Sequence, residues 1–465
     1  MISRAHPLFA LAVAIAACRG ETTRRPNVPL ISIDTLRADH LSCYGYIRPT
    51  SPNIDRLARE GTLFSRAYSA SSWTIPSHMT MFTSLPPLLH EVDNVGRRLD
   101  PARVTLAARF RDAGYQTAAF VTGPTLHPAF GFDRGFDLYH NTMAFTDEDF
   151  TNGDPTRPTQ VAHRKSHHAV TGPTVRAAVE GWLDADARPP FLLFVHLWDP
   201  HYDYIPPPPF DTRFDPSYQG TFDFSDLEFN LAINPSMPVA LYDGEIAATD
   251  AVVGDLLAAL ARHGWLDHTL VVLTSDHGEQ FFEDGDKGHL TSLYDEVLHV
   301  PLVFRLPGAV RAGQRSDAVV DSVHLMPTIL GVAGIDPGRE ARGRDLGPVL
   351  RGGRPPADLW ALSELTLRQR LPLYAARLPD RKYLARVTEK EPLSLAVVSY
   401  DVHADPEEQH PRNPLDAEEH AFADWLTTHL RTLEAVRRAL PRAGGAPAPL
   451  DEETERQLRA LGYID

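Results

Sequence analysis

The chain predicts an α/β fold, a mostly parallel sheet flanked by helices, followed by a smaller C-terminal α+β subdomain. Three observations carry that expectation. Four near-continuous apolar runs, from Val28 to Ile33, Thr117 to Val121, Phe191 to Val195 and Leu270 to Leu273, have the length and β-rich content of strands covered on both faces. Helical patterns lie between them, so strand and helix alternate. Each run also ends in polar residues suited to chemistry: Asp34; Thr122 and Gly123; His196, Asp199 and His201; and Thr274 through His277. Ligands of open parallel sheets sit beyond the carboxyl ends of the strands, so Asp34, His196, Asp276 and His277 are expected to face one crevice.

The elements follow in order. Arg4 and His6 precede an apolar run from Pro7 to Ala17, well short of the roughly 20 residues a membrane-spanning helix needs. Residues 1–17 therefore read as a secretory signal. Ile15-Ala16-Ala17-Cys18 resembles a bacterial lipobox, with Cys18 lipidated as the first mature residue, and an ordinary signal peptide cut nearby is the alternative. The expected location is outside the cytoplasm, anchored to a membrane and facing the periplasm or cell exterior. Cys43 is the only other cysteine, so no disulfide is expected, and it reads as a small apolar residue rather than a nucleophile.

The main domain is expected over residues 25–355. Ser51 and Pro52 offer an N-cap and a first-turn proline, Ile54, Leu57 and Ala58 one buried face, and Gly61 a stop. Asp100-Pro101 is expected to open a second helix, with Leu106, Ala107 and Phe110 inward and Gly114 as terminator. A third runs from Val175 to Leu183, and the longest from 239 to 263. Residues 140–172 and 202–238 break this rhythm and are expected to be loops over the site that shape substrate choice. Residues 356–440 read as the C-terminal subdomain, with strand-like pieces at Leu359 to Leu362 and Lys382 to Arg386 and a helix at about 417–440. Residues 441–465 form a linker and a terminal helix stopped by Gly462.

Composition narrows the partners. A net charge of -16 argues against nucleic acid held on a broad basic surface. It leaves a small anionic ester open, since local cations and helix ends outweigh net charge at a site.

Asp276-His277 at one strand end and Asp34 at another supply two carboxylates and an imidazole. That donor set suits a divalent ion: Zn, Mn, Mg or Ca, with the histidine tilting the choice toward Zn or Mn. Pro76 sits where a helix can begin, which puts Thr74 at a helix N-terminus where the dipole favours an anion. The bland alternatives are a turn-capping Asp276 and a helix-capping Thr74. With 21 histidines in the chain, a lone one is more often structural than catalytic.

Taken together, the motifs resemble the sulfatase family of the alkaline phosphatase superfamily over nearly all of the mature chain. The resemblance is carried by Arg25-Pro26-Asn27-Val28, Ser32 through Asp39, Ser51 through Asp55, Thr74 through His78 and Gly114 through Thr117. It continues through His196 to His201, Tyr242 to Glu245, Thr274 to Glu279, Leu293 to Glu296, Met326 to Thr328 and Tyr400-Asp401. It implies an alkaline-phosphatase-like fold and a metal held by Asp34, Asp276 and His277, with the nucleophile Thr74 as a further ligand. It also offers His201 and His289 for the other side of the site, as leaving-group acids, oxyanion donors or ligands for a second metal, and His78, Lys287 and His196 as substrate contacts. Sulfatases place Cys or Ser at the nucleophile position, followed by x-Pro-Ser-Arg, and convert that residue to formylglycine. Here the position is Thr74, the arginine is His78, and the usual paired aspartate is Asp34-Thr35. A threonine nucleophile with an Asp-His pair looks more like the family's phosphodiesterases and phosphoethanolamine transferases. The expected activity is hydrolysis of phosphate or sulfate esters, on a small anionic ester carried by a glycan or lipid. Head-group transfer and non-catalytic ligand binding are the alternatives.

Overall fold

The computed structural model describes residues 25–142, 172–201, 204–218, 237–366, 371–390, 393–444 and 447–460. The signal segment, Cys18, most of the two expected site loops and Gly462 lie outside the described residues.

The strands of the main domain are β1 (Val28–Ile33), β2 (Thr62–Tyr68), β3 (Gln116–Thr122), β4 (Leu138–Thr142), β5 (Phe191–Leu197), β6 (Val271–Ser275), β7 (Gln280–Phe281), β8 (Lys287–Gly288), β9 (His299–Val300), β10 (Leu302–Arg305) and β11 (Gln314–Asp321). The central sheet runs β11-β2-β10-β6-β1-β5-β3-β4, with β9 beside β2. The four apolar runs became β1, β3, β5 and β6, which lie side by side and parallel. β10 is antiparallel to both β6 and β2, so the sheet is mixed. β2 and β11 escape an apolar-run criterion because polar residues such as Ser65, Arg66, Arg315 and Asp317 interrupt them. β10 escapes because it is only four residues long.

Alternation along each parallel strand builds two cores. Leu30 and Phe194 face one side with Met79, Phe110 and Ile329; Ile31 and Val195 face the other with Leu57, Trp182 and Leu256. Helices Thr74–Thr83, Leu106–Asp112 and Leu325–Val332 cover the first face, and Pro52–Glu60, Gly172–Ala185 and Met237–Arg262 the second. Truncating a fully buried ring such as Phe194 to alanine costs about 3–5 kcal/mol at such a site.

Two helix starts differ from expectation. Ser51 does not cap its helix; its hydroxyl bonds the Asp55 carboxylate at 3.0 Å. The first-turn N–H groups of Asn53 and Ile54 are accepted instead by Asp250, at 3.0 and 2.8 Å, a carboxylate delivered by the long helix nearly 200 residues on. The second helix starts at Leu106, not at Asp100-Pro101, because Thr105 accepts from the Ala108 N–H. Asp100 instead closes a local turn onto the Ala102 N–H.

The C-terminal part is an antiparallel sheet, β12 (Ala361–Leu365), β13 (Leu373–Arg377), β14 (Arg381–Lys390) and β15 (Leu393–Asp401), packed by helix Ala417–Ala439. Asp416 and Glu419 form a capping box at that helix start. Lys382 of β14 is fully buried and pins the junction, with Nζ 2.7 Å from Asp295 and 2.7 Å from Glu408. Cys43 is half-buried, and burial pushes its thiol well up, which makes it a poor nucleophile. No helix among the described residues is long and apolar enough to cross a membrane.

Candidate active site

Register brings the chemistry together. Ser32 of β1 pairs with His196 of β5 and with Thr274 of β6, so Asp34, Leu197 and Asp276 leave the same edge of the sheet. The chain turns sharply there: Thr35 takes φ +53°, an uncommon conformation for a β-branched residue. That turn aims the Thr35 N–H at Asp276 Oδ1, 3.2 Å away, and the His277 N–H reaches the same oxygen at 2.9 Å.

Asp34, Asp276 and His277 are all fully buried and present ligand atoms within 4.8 Å of one another. His277 Nδ1 donates to the Gly278 carbonyl at 2.9 Å, which leaves Nε2 as the lone-pair nitrogen. That nitrogen lies 3.4 Å from Asp276 Oδ2 and 3.8 Å from Asp34 Oδ1. Among the described residues, neither Asp34 oxygen nor Asp276 Oδ2 accepts a hydrogen bond. Burial, and then the neighbouring Asp276 charge, push Asp34 well above the usual carboxylate range. Two buried carboxylates with three unsatisfied oxygens fit a divalent cation, which supplies the missing positive charge.

Thr74 opens the fully buried helix Thr74–Thr83 as its first residue, with Trp73 at the cap position, so its hydroxyl is not spent on capping. Its Oγ1 lies 3.2 Å from His277 Nε2. The helix is tied to the end of β6 by Ser77, whose hydroxyl donates to the Asp276 carbonyl at 2.7 Å, and by Ser69, which reaches both.

His289, after the β7–β8 hairpin, sets its ring 4.5 Å from His277, tilted, and 5.1 Å from His201, edge-on. The Glu279 carboxylate, fully buried, holds His289 Nδ1 at 2.9 Å. His201 is buried against Trp198. The three imidazoles run in sequence from His277, which touches Thr74, through His289 to His201.

Of the three expected substrate contacts, His78 and His196 lie in the buried cluster around Asp276, and Lys287 lies on the exposed β7–β8 hairpin. His78 is fully buried: Nδ1 donates to the Thr74 carbonyl and Nε2 meets the Ser32 hydroxyl, both at 2.9 Å. Burial pushes it down to about 3, and with both nitrogens bonded it is a neutral strut behind Thr74. His196 is fully buried beneath Asp34, with Nε2 3.3 Å from Asp34 Oδ2, and burial holds it down to about 4. Lys287 stays exposed on the hairpin, outside the buried cluster. Sequence reasoning gave no role to Glu279, Ser32, Ser69 or Ser77. Only Glu279 carried a signal, an acid two residues beyond His277 at a strand end.

A mixed, mostly parallel sheet with a carboxylate–imidazole cluster at its rim, beside a hydroxyl on a helix N-terminus, defines an ester hydrolase of alkaline-phosphatase-like fold. A family model for sulfatases matches residues 26–335, and the chain belongs to that family. It is 26% identical to N-acetylglucosamine-6-O-sulfatase of Bacteroides thetaiotaomicron over 436 residues, covering 76% of each chain. It is 27% identical to arylsulfatase K of Gallus gallus, covering 83% of this chain and 78% of that one. Its fold superposes on the phosphonate monoester hydrolase of Agrobacterium radiobacter with a TM-score of 0.71 at 24% identity, covering 89% of this chain and 96% of the other.

Proposed function

We propose that this chain is a metal-dependent hydrolase of phosphate or sulfate esters that works through a covalent intermediate on Thr74. The observation that carries the reading is the placement of Thr74 Oγ1, 3.2 Å from His277 Nε2 and beside carboxylates whose oxygens lack partners. Asp34, Asp276, His277 and Thr74 would hold the ion, with Zn or Mn favoured by the imidazole and Ca or Mg as oxygen-preferring alternatives. Once bound, a divalent cation lowers the pKa of the Thr74 hydroxyl and offsets charge on a non-bridging ester oxygen.

The chain's own groups do the rest. The first turn of helix Thr74–Thr83 directs backbone N–H groups and its dipole at the ester's remaining oxygens. Thr74 Oγ1 attacks the phosphorus or sulfur in line; the Thr–O–P or Thr–O–S bond forms as the bond to the leaving oxygen breaks. His289, oriented by Glu279 and flanked by His201, gives that oxygen its proton. The resulting neutral imidazole then takes a proton from water, whose oxygen attacks the intermediate and expels Thr74 as the alkoxide that began the cycle. Because threonine has a single hydroxyl, the intermediate cannot break down by carbonyl formation, as a formylglycine diol can.

The name of the Bacteroides relative supports an ester on a glycan as the substrate. Export with a lipid at Cys18 is part of the same reading, supported by the apolar run from Pro7 to Ala17. Labelled fatty acid should be incorporated by the wild type and not by Cys18→Ser. The central test is Thr74→Ala. It should lower turnover of aryl phosphates, phosphonates and sulfates by more than about a thousandfold at unchanged melting temperature. Near-normal rates would remove Thr74 as the nucleophile.

A further inference from the structure

We propose that His196 is itself a metal ligand. With Asp276, and beside Asp34 Oδ2, it forms an inner cation position next to the outer position at His277 and Thr74. This rests on the metal-dependent reading above.

The argument starts from protons. Thr122 Oγ1 lies 3.3 Å from His196 Nδ1 and donates its single proton to the His196 carbonyl at 3.4 Å. That hydroxyl oxygen therefore accepts from Nδ1–H, and the lone pair sits on Nε2. Nε2 faces Asp34 Oδ2 at 3.3 Å, fully buried, and among the described residues it makes no hydrogen bond. Two lone pairs at that separation repel unless a proton or a metal ion lies between them. His78, whose ring lies 5.1 Å away, shows what a satisfied core histidine looks like here: both of its nitrogens are bonded.

The distances suit metal coordination. Ligand arms of about 2.1 Å in tetrahedral array leave neighbouring donor atoms about 3.4 Å apart. Asp34 Oδ2 to His196 Nε2 is 3.3 Å, Asp276 Oδ2 to His277 Nε2 is 3.4 Å and Thr74 Oγ1 to His277 Nε2 is 3.2 Å. Asp34 presents Oδ1 toward His277 and Oδ2 toward His196, the arrangement of a carboxylate that bridges two ions. Ligand atoms of Asp276, His196 and His78 also fall within 4.8 Å of one another. Charge points the same way. One divalent ion only cancels the two carboxylates, whereas a second offsets an ionised Thr74 and the anionic ester.

The test uses metal-stripped full-length protein titrated with Mn²⁺, read by calorimetry, by metal content after desalting and by electron paramagnetic resonance. Wild type should bind two equivalents and give a spin-coupled signal. His196→Gln should bind one and give an isolated six-line spectrum. Thr122→Val keeps the imidazole but removes the partner of Nδ1, and should weaken the second equivalent about 10-fold or more. It carries the test alone if His196→Gln melts early. A wild type that binds one equivalent, a His196→Gln that keeps both, or a Thr122→Val with unaltered second affinity overturns the proposal. If the wild type binds no ion at all, the metal-dependent reading of Thr74 falls instead.

Discussion

Two groups of buried carboxylates can be compared within this one molecule. At the junction with the C-terminal sheet, Asp295 and Glu408 meet the buried ammonium of Lys382 at 2.7 Å each. At the rim of the central sheet, the ionisable side chains that Asp34 and Asp276 meet besides each other are imidazoles, and three of their four oxygens accept no hydrogen bond among the described residues. The first group carries its own cation and is complete as folded. The second is complete only with charge from outside the chain. Burial raises the cost of both in the same way, so the difference marks one as a joint and the other as a binding site.

Several changes would break or sharpen that contrast. Metal removal has the largest expected effect: a chelator should lower turnover by more than about a thousandfold, and restored Zn²⁺ or Mn²⁺ should recover it. In the stripped protein, Asp34→Asn should raise the melting temperature by removing like-charge repulsion while ending ion uptake, which calorimetry would register. A stability loss in that variant would make Asp34 a structural carboxylate. The opposite behaviour is expected at the junction. Lys382→Met leaves Glu408 without its cation and Asp295 with only the longer contact to Arg377, 3.5 Å, and should cost about 3–5 kcal/mol in denaturant unfolding, with kcat per folded molecule unchanged.

A smaller effect should follow Glu279→Gln. It keeps the packing but weakens the hold on His289, lowering kcat about 10–100-fold and displacing one limb of the pH–rate profile with little change in KM. A change in KM alone would put Glu279 in substrate binding. The smallest concerns Glu364, a buried carboxyl outside both groups, which burial and then nearby Asp93 push up to about 8. Its folded-state pKa lies above its unfolded value, so its contribution to stability is present at acid pH and lost as pH rises through about 8. Glu364→Gln should flatten that decline in denaturation midpoints measured between pH 5 and 8.

Much of this was legible in the chain itself. The runs that became β1, β3, β5 and β6 are buried on both faces, so their composition is nearly all apolar and stands out without any partner. Asp34, Asp276, His277 and His201 were visible because they follow such runs directly, and the geometry of parallel strands sends strand ends to one edge. β2, β10 and β11 were not visible, because short or half-polar strands acquire their identity only from the neighbours they pair with.

The same division holds at the site. Sequence determined which side chains reach the sheet's rim and that a hydroxyl begins the neighbouring helix, since both are local consequences of where a strand stops and a helix starts. It could not decide what each imidazole does once there. His78 and His196 looked alike as candidates for touching substrate, yet one is bonded at both nitrogens behind Thr74 and the other aims a lone pair at Asp34. Glu279 on His289 and Asp250 on the helix at Pro52–Glu60 are likewise set by packing. Hydrogen-bond partners are chosen by three-dimensional proximity at about 3 Å, and only the folded chain fixes distances on that scale.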